Sequence, residues 1–183
     1  MCKSFYFLEH LSSSMLSVTF DSAPQIPMRD DIAALKETIR IADESRAAGN
    51  HPFGSLLTDA QGTVLIRGGN TFQTDKGLGH AELNVAREAA RRYDPEFLDT
   101  CTLYTSIEPC SMCAGGTYWA GIGRLVFGVT ESRLAELTGD NPENLTMSLP
   151  CRTVLEAGQR KVDVLGPFPE LEAEIIESHR GFW

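Results

Sequence analysis

The spacing of apolar residues predicts that a regular domain begins near residue 30. Apolar side chains recur at intervals of three or four residues, at Ile32, Leu35, Ile39 and Ala42. This is the period of one face of an α-helix. Asp30 or Asp31 is suited to cap the start of that helix, and Gly49 is suited to end it. The pattern therefore predicts an amphipathic first helix that packs on a core.

Short apolar segments typical of strands then alternate with longer segments typical of helices. Residues 53–58 and 63–66 predict a β-hairpin, because the turn residues Asp59-Ala60-Gln61-Gly62 separate them. The remaining predicted elements are helix 80–93, strand 101–106, helix 110–120, strand 125–129, a short helix near Thr153, strand 162–165 and an acidic helix 169–179. Residues 71–79 are predicted to form a glycine-rich loop. This order implies a three-layer α/β domain with a mixed five-stranded sheet, in which the hairpin adds an antiparallel edge.

Residues 1–27 show no clear period and contain two prolines, Pro24 and Pro27. We expect them to form a loosely ordered extension before a single domain at residues 28–183. The extension has one lysine and an interrupted apolar run, which makes a secretory signal a poor fit. Nowhere does the sequence approach the roughly 20 apolar residues that a membrane span requires.

Composition narrows the classes of function. A chain of 183 residues with 42% hydrophobic residues can bury a core of ordinary size. Its formal net charge of −9 repels polyanions, so nucleic acid is an improbable main partner. Five cysteines are too few and too scattered for a disulfide-stapled secreted domain, which favours a reducing, cytoplasmic location.

Three residues have the spacing of a metal site. Cys110 and Cys113 are three residues apart at the start of a predicted helix, where the helix dipole favours thiolates, and His80 begins the preceding helix. One imidazole and two thiolates would bind Zn²⁺ and leave a fourth tetrahedral position for water. A redox dithiol or a structural zinc site is the alternative interpretation of the cysteine pair. The chain has no second Cys-x-x-Cys, which weakens both alternatives.

Glu82 lies two residues after His80 and is the predicted catalytic residue. Zinc lowers the pKa of a bound water to about 7, and a nearby carboxylate can accept its proton and pass it to a leaving group. The reaction class that follows is metal-assisted hydrolysis. A purely structural zinc site would not require this carboxylate.

His-Ala-Glu at residues 80–82, followed by Pro-Cys-Ser-Met-Cys at 109–113, matches the signature of zinc nucleobase deaminases. From about Asp31 to Val129 the chain resembles the cytidine deaminase-like superfamily, and within it the guanine deaminase branch. The resemblance implies a three-layer α/β/α fold, one Zn²⁺ per chain, a small-molecule nucleobase substrate and a homodimer.

The same resemblance implies further substrate-binding residues. Phe53 would help form the base pocket, the Asn70 amide would both donate to and accept from the base edge, and Glu143 would shuttle protons. Phe182 and Trp183 would form a C-terminal lid that excludes water. The remaining implied positions are Ala81, Ser106, Glu108 and Tyr118. Packing in the core is the alternative for Phe53 and Tyr118, an exposed loop for Glu143, and a dimer contact for the last two residues.

The sequence is compatible with several classes of substrate. Guanine, giving xanthine and ammonia, is the first choice, but Thr74-Asp75-Lys76-Gly77 departs from the run that guanine deaminases carry before the His-Ala-Glu motif. A tRNA wobble adenosine deaminase shares the zinc site, and other amino-purines, triazines, pterins, pyrimidines or nucleosides also fit. A zinc-stabilised binding module without activity is the non-enzymatic alternative. His10, His51 and His179 are interpreted as surface or satisfied histidines.

Overall fold

Five strands form one mixed sheet, which orders the rest of the molecule. The computed structural model describes residues 30–183. Its strands are β1 (Gly54–Thr58), β2 (Val64–Gly69), β3 (Thr102–Ile107), β4 (Arg124–Val129) and β5 (Asp163–Leu165), in the order β2-β1-β3-β4-β5. Strand β1 pairs antiparallel with β2 and β3, whereas β3, β4 and β5 run parallel. The predicted mixed five-stranded sheet with an antiparallel hairpin is confirmed.

Helices cover both faces of the sheet. They are α1 (Asp31–Ala47), α2 (Phe72–Asp75), α3 (Ala81–Arg92), α4 (Pro95–Leu98), α5 (Ser111–Ala120), α6 (Glu131–Thr138), α7 (Cys151–Glu156) and α8 (Glu172–His179). One buried cluster joins α3, α5 and α7 to the sheet, and a second joins α1, α6 and α8 to its other face. The three-layer prediction is therefore confirmed. No helix within residues 30–183 is long and apolar enough to cross a membrane.

Three helices lie where the sequence pattern predicted none. Residues 71–79 contain α2 and a 3-10 turn at Lys76–Leu78 instead of a continuous loop. Helix α4 follows α3 almost directly, with Pro95 in its first turn, whereas the sequence pattern predicted no element between residues 93 and 101. Helix α6 has few apolar positions but a stabilising N-cap, because Thr130 Oγ1 accepts a hydrogen bond from the Arg133 N–H at 3.2 Å. The prediction for residues 1–27 lies outside the described residues.

The topology brings the ends of several strands and the starts of two helices together at one edge of the sheet. Parallel strands β3 and β4 end at the same edge of the sheet, where antiparallel β1 begins, and helix α5 starts directly after β3. Helix α3 starts shortly after β2. Polar side chains at these ends therefore meet at one rim, the usual ligand position in open α/β sheets.

Candidate active site

His80, Cys110 and Cys113 meet at this rim as predicted. His80 Nδ1 lies 3.6 Å from Cys110 Sγ and 3.5 Å from Cys113 Sγ, and all three atoms lie within 4.8 Å of one another. His80 precedes the first turn of α3, Cys110 precedes that of α5, and Cys113 belongs to α5. The positive ends of two helix dipoles thus face the sulfur atoms.

The separations of these donor atoms fit Zn²⁺. With zinc–nitrogen and zinc–sulfur bonds of about 2.0 and 2.3 Å, tetrahedral geometry separates the two kinds of donor atom by about 3.6 Å. The observed distances of 3.5 and 3.6 Å match this value. Three such donors leave one tetrahedral position open, which is the arrangement of catalytic zinc sites.

The ionisation of these groups is mutually coupled. The hydrogen bond with Cys113 lowers the pKa of the Cys110 thiol to about 4, in spite of burial, and the same bond raises the pKa of Cys113. Burial opposes a charge on His80, but the hydrogen bond with Cys110 and the charge of Glu82 together raise the pKa of His80. Zinc binding would displace the remaining thiol proton.

Glu82 lies beside the three ligands and is almost fully enclosed, with 4% of its surface exposed. Its Oε1 accepts a hydrogen bond from Thr105 Oγ1 at 3.1 Å. Burial raises the pKa of this carboxyl, and the nearby His80 opposes that effect. A carboxylate whose pKa moves toward neutrality is suited to accept and return a proton.

Two of the ligands, His80 and Cys110, line two adjacent cavities. The inner cavity gives about 20 Å³ to the centre of a water molecule, enough for one water, and is bounded by Phe53, His80, Glu82, Glu108, Cys110, Glu131 and neighbours. The outer cavity has about 440 Å³ by the same measure, within the range of small-molecule sites. His80, Cys110, Glu131 and Asn144 line both cavities. The outer cavity therefore leads directly to the metal ligands and to Glu82.

Glu108 and Ser106 are buried behind the inner cavity. Glu108 Oε2 accepts from the Glu131 N–H at 3.2 Å, and Oε1 accepts from the Cys151 N–H at 3.0 Å. Both carboxylate oxygens thus hold the starts of α6 and α7. Ser106 Oγ accepts from the Gly54 N–H at 3.4 Å. These contacts give both side chains a structural role at the rim.

Asn70 holds the loop beside the site. Its Oδ1 accepts hydrogen bonds from the Phe72 N–H at 2.8 Å and the His51 N–H at 3.3 Å. The amide oxygen is thus committed to the backbone, which leaves Nδ2 as the group suited to a substrate. Ala81 is fully buried in the first turn of α3.

The C-terminal aromatic residues lie against the wall of the inner cavity. The Trp183 ring lies 6.0 Å from that of Phe53 and 5.0 Å from that of His51, and Phe182 contacts His51 at 5.7 Å. Glu143 lines the outer cavity, and its Oε2 lies 3.3 Å from His51 Nε2. The structure brings the C-terminus and Glu143 of the same chain to the site.

Tyr118 lies elsewhere. Five residues separate it from Cys113, a rotation of about 140° around the helix axis, so it faces away from the ligand side of α5. Its hydroxyl oxygen accepts hydrogen bonds from the backbone N–H groups of Gln159 and Arg160 at 2.9 and 3.2 Å. In this structure the side chain fixes the segment after α7 and does not line either cavity.

Two residues at the site escaped sequence interpretation. Glu131 lines both cavities, and burial followed by the negative charges of Cys110 and Glu82 raises its pKa to about 8. His51 is 4% exposed and stacks on Phe72 at a centroid distance of 4.1 Å. Of the two interpretations of His51, a surface histidine or a satisfied one, the structure agrees with the second, because the ring is buried and its Nε2 lies 3.3 Å from Glu143 Oε2.

The fold and the site are those of a zinc-dependent hydrolytic deaminase acting on a nucleobase or nucleoside. The family described as "Cytidine and deoxycytidylate deaminase zinc-binding region" matches residues 28–129, more than half of the chain, and the chain belongs to this family.

Individual relatives differ in the base that they are named for. A probable cytosine deaminase of Schizosaccharomyces pombe is 37% identical over 154 residues, which cover 84% of this chain and 92% of that protein. A guanine deaminase of Bacillus subtilis is 34% identical over 109 residues, covering 58% and 69%. The solved structure of a guanine deaminase from Nitrosomonas europaea superposes with a TM-score of 0.68 at 22% identity, covering 96% and 98% of the two chains. This last likeness confirms the predicted fold.

Proposed function

We propose that this protein hydrolyses the exocyclic amino group of a free nucleobase, with guanine as the first candidate and xanthine and ammonia as the products. The observation that carries the proposal is the inner cavity, which is lined by Glu82, by the metal ligands His80 and Cys110, and by Phe53. Trp183 packs behind that ring. The inner cavity has room for the attacking water, and the adjoining outer cavity of about 440 Å³ has room for a planar base.

Zinc, when held by His80, Cys110 and Cys113, supplies a Lewis acid that lowers the pKa of a coordinated water. Glu82 accepts a proton within the cavity, delivers it to a ring nitrogen of the base, and carries a second proton to the departing amine. The overall reaction consumes one water, breaks the ring carbon–amine bond, and yields a ring carbonyl and ammonia. Thr105 keeps the Glu82 carboxylate oriented through both transfers.

The outer cavity supports a base with several donor groups. Glu131 and Glu143 both line it, and carboxyl oxygens accept hydrogen bonds from ring N–H and amino groups whether the group is ionised or, as for Glu131 with its pKa of about 8, protonated near neutral pH. Guanine offers two such groups on one edge, in agreement with the similarity to the Bacillus subtilis enzyme. Asn70 Nδ2 remains to donate to a ring acceptor. Phe53 and Trp183 would exclude water from the base.

Cytosine is the second candidate. The match to the Schizosaccharomyces pombe relative covers 92% of that protein, and the name of that protein specifies cytosine. Deamination would then yield uracil and ammonia at the same catalytic residues.

The charge distribution argues against RNA. The chain has a formal net charge of −9, and the acidic residue Glu143 lines the approach to the site. Within the arginine cluster of α3, Arg91 and Arg92 pair with Glu88. These two arginines are therefore neutralised by a carboxylate and are less available to bind phosphates.

Two further features of the protein belong to the proposal. We infer a homodimer, supported by large apolar side chains that lie exposed, namely Trp119 at 85% and Leu145 at 77%. We also infer a cytoplasmic location, supported by the free thiols of the four cysteines within residues 30–183.

The test is ammonia release by zinc-loaded protein from guanine, cytosine, adenine, ammeline, guanosine, cytidine and a tRNA anticodon stem-loop. Turnover of guanine in preference to the other compounds is expected. Preference for cytosine would retain the free-base class and replace the first candidate. Activity confined to nucleosides or RNA, or no activity on any compound, would contradict the proposal.

A further inference from the structure

His51 connects the outer cavity to three parts of the fold. It lies between α1 and β1, and its backbone N–H donates to Asn70 Oδ1 at 3.3 Å. One face of its ring stacks on Phe72 at 4.1 Å, and its edge meets Trp183 at 5.0 Å. These contacts fix the orientation of an imidazole that is 4% exposed.

The His51 ring also makes a polar contact, to Glu143. Nε2 of His51 lies 3.3 Å from Oε2 of Glu143. An ionised carboxylate can only accept hydrogen bonds, so Nε2 must carry the hydrogen. His51 therefore acts as the donor in a bond between residues 92 positions apart in the sequence.

Glu143 needs an external contact of this kind because its own segment is irregular. Residues 139–150, between α6 and α7, contain no helix or strand, and the Glu143 side chain is 58% exposed. Local bonds within the segment fix its backbone, for example the Glu143 N–H to Asn141 Oδ1 at 2.9 Å. Another tie to the fold, Ser111 Oγ to Met147 Sδ, uses a weak acceptor.

We propose that His51 is a positioning residue of this site, whose Nε2–H holds the Glu143 carboxylate at the outer cavity so that it can engage the substrate. This rests on the proposed function, in which Glu143 accepts a hydrogen bond from the base. His51 itself lines neither cavity and acts through Glu143.

Two substitutions separate the hydrogen bond from packing. His51→Phe keeps a ring that can stack on Phe72 but removes the donor, whereas His51→Gln keeps an N–H donor on a flat side chain. We expect His51→Phe to lower kcat/KM about 10-fold, the usual worth of a hydrogen bond to a charged group. Its zinc content and Tm should stay near wild type, and His51→Gln should recover most of the activity.

A double-mutant cycle identifies the partner. In a Glu143→Gln background, His51→Phe should lower kcat/KM by less than about 2-fold, because the positioned carboxylate is already absent. If the two losses multiply instead, His51 acts independently of Glu143 and the inference is wrong. Normal activity of His51→Phe alone would also overturn it.

The measurements use whichever compound of the substrate panel is turned over, so an unexpected substrate overturns the proposed function without removing this test. The bond is also read without turnover, from the ¹⁵N resonances of the His51 ring. We expect a protonated Nε2 whose shift moves in Glu143→Gln. An Nε2 that is unprotonated, or a resonance that does not move, would contradict the positioning role whatever the substrate.

Discussion

Thr105 and Glu82 meet between the centre of strand β3 and the first turn of helix α3, where Thr105 Oγ1 donates to Glu82 Oε1 at 3.1 Å. Thr105 is fully buried, so this bond is shielded from water. The strand thereby fixes the carboxylate that the helix places beside His80. The orientation of Glu82, the proposed proton carrier, thus depends on strand β3 as well as on helix α3.

Replacing Thr105 with valine removes this donor and preserves the shape of the side chain. We expect kcat to fall about 10- to 100-fold, because a hydrogen bond to a charged group is worth about 1.5–3 kcal/mol. Zinc content should not change. Thr102→Val, at the other end of β3, serves as the control. Equal kcat values for the two variants would show that Thr105 does not orient Glu82.

Replacing a metal ligand should remove the metal. Cys110→Ser or Cys113→Ser is expected to reduce zinc from about one ion per chain to well below one, since a tetrahedral site with three protein ligands loses one of them. Cys101→Ala is the matched control, because this buried thiol lies outside the cluster. Elemental analysis of the purified proteins provides the measurement. Full zinc content in either serine variant would refute the ligand assignment.

Local sequence patterns were sufficient for the sheet and for the metal ligands. The apolar periods located all five strands, and the spacing of His80, Cys110 and Cys113 indicated their convergence before any coordinates. Helix α6 was missed because it begins at a cap formed by Thr130 and its buried apolar residue is Leu134, and one buried leucine gives no visible period.

Side-chain direction was harder to predict than element position. Tyr118 is on the expected helix but faces away from the metal ligands, in agreement with the packing alternative, and its partners lie about 40 residues later in the chain. The burial of His51 depends on Phe72, Glu143 and Trp183, which converge only in the tertiary structure. Glu108 looked like a substrate contact, yet its oxygens hold two helix starts.

Helix α1 ties down the C-terminal residues through Arg46. Its guanidinium donates to the carbonyl oxygens of Ser178 at 2.7 Å and Arg180 at 2.9 Å. If the tail covers the substrate, Arg46→Ala should raise KM about 10-fold and change kcat less. Arg40→Ala is the control, because this exposed arginine on the same helix pairs with Glu37. An unchanged KM in Arg46→Ala would mean that the tail does not close the site.

His179 should make the protein sensitive to acid. Burial, followed by the charge of Arg46, lowers the pKa of His179 to about 4, and within the described residues its Nε2 is a buried atom without a hydrogen-bond partner. Between about pH 6.5 and pH 4 the unfolded chain binds a proton at this histidine, whereas the folded chain does not. The free energy of unfolding therefore falls as the pH drops through this range.

The size of this loss of stability follows from the difference between the pKa of about 4 in the folded chain and the ordinary value of 6.5. Between pH 7.5 and 5.0 we expect wild type to lose about 2 kcal/mol more unfolding free energy than His179→Phe. Urea unfolding at the two pH values measures the loss, and other titrating groups cancel in the comparison. Parallel losses in both proteins would show that His179 is not held neutral.

The most direct test of the account compares wild type with Glu82→Gln at equal zinc content, with ammonia release from guanine and cytosine as the readout. Glutamine occupies the same space but cannot accept and return a proton. We predict that wild type releases ammonia from at least one of the two bases, and that the variant binds zinc but loses at least about 1000-fold in kcat. Turnover by Glu82→Gln at the wild-type rate would contradict the role of Glu82, and with it the assignment of this site as the centre of deamination.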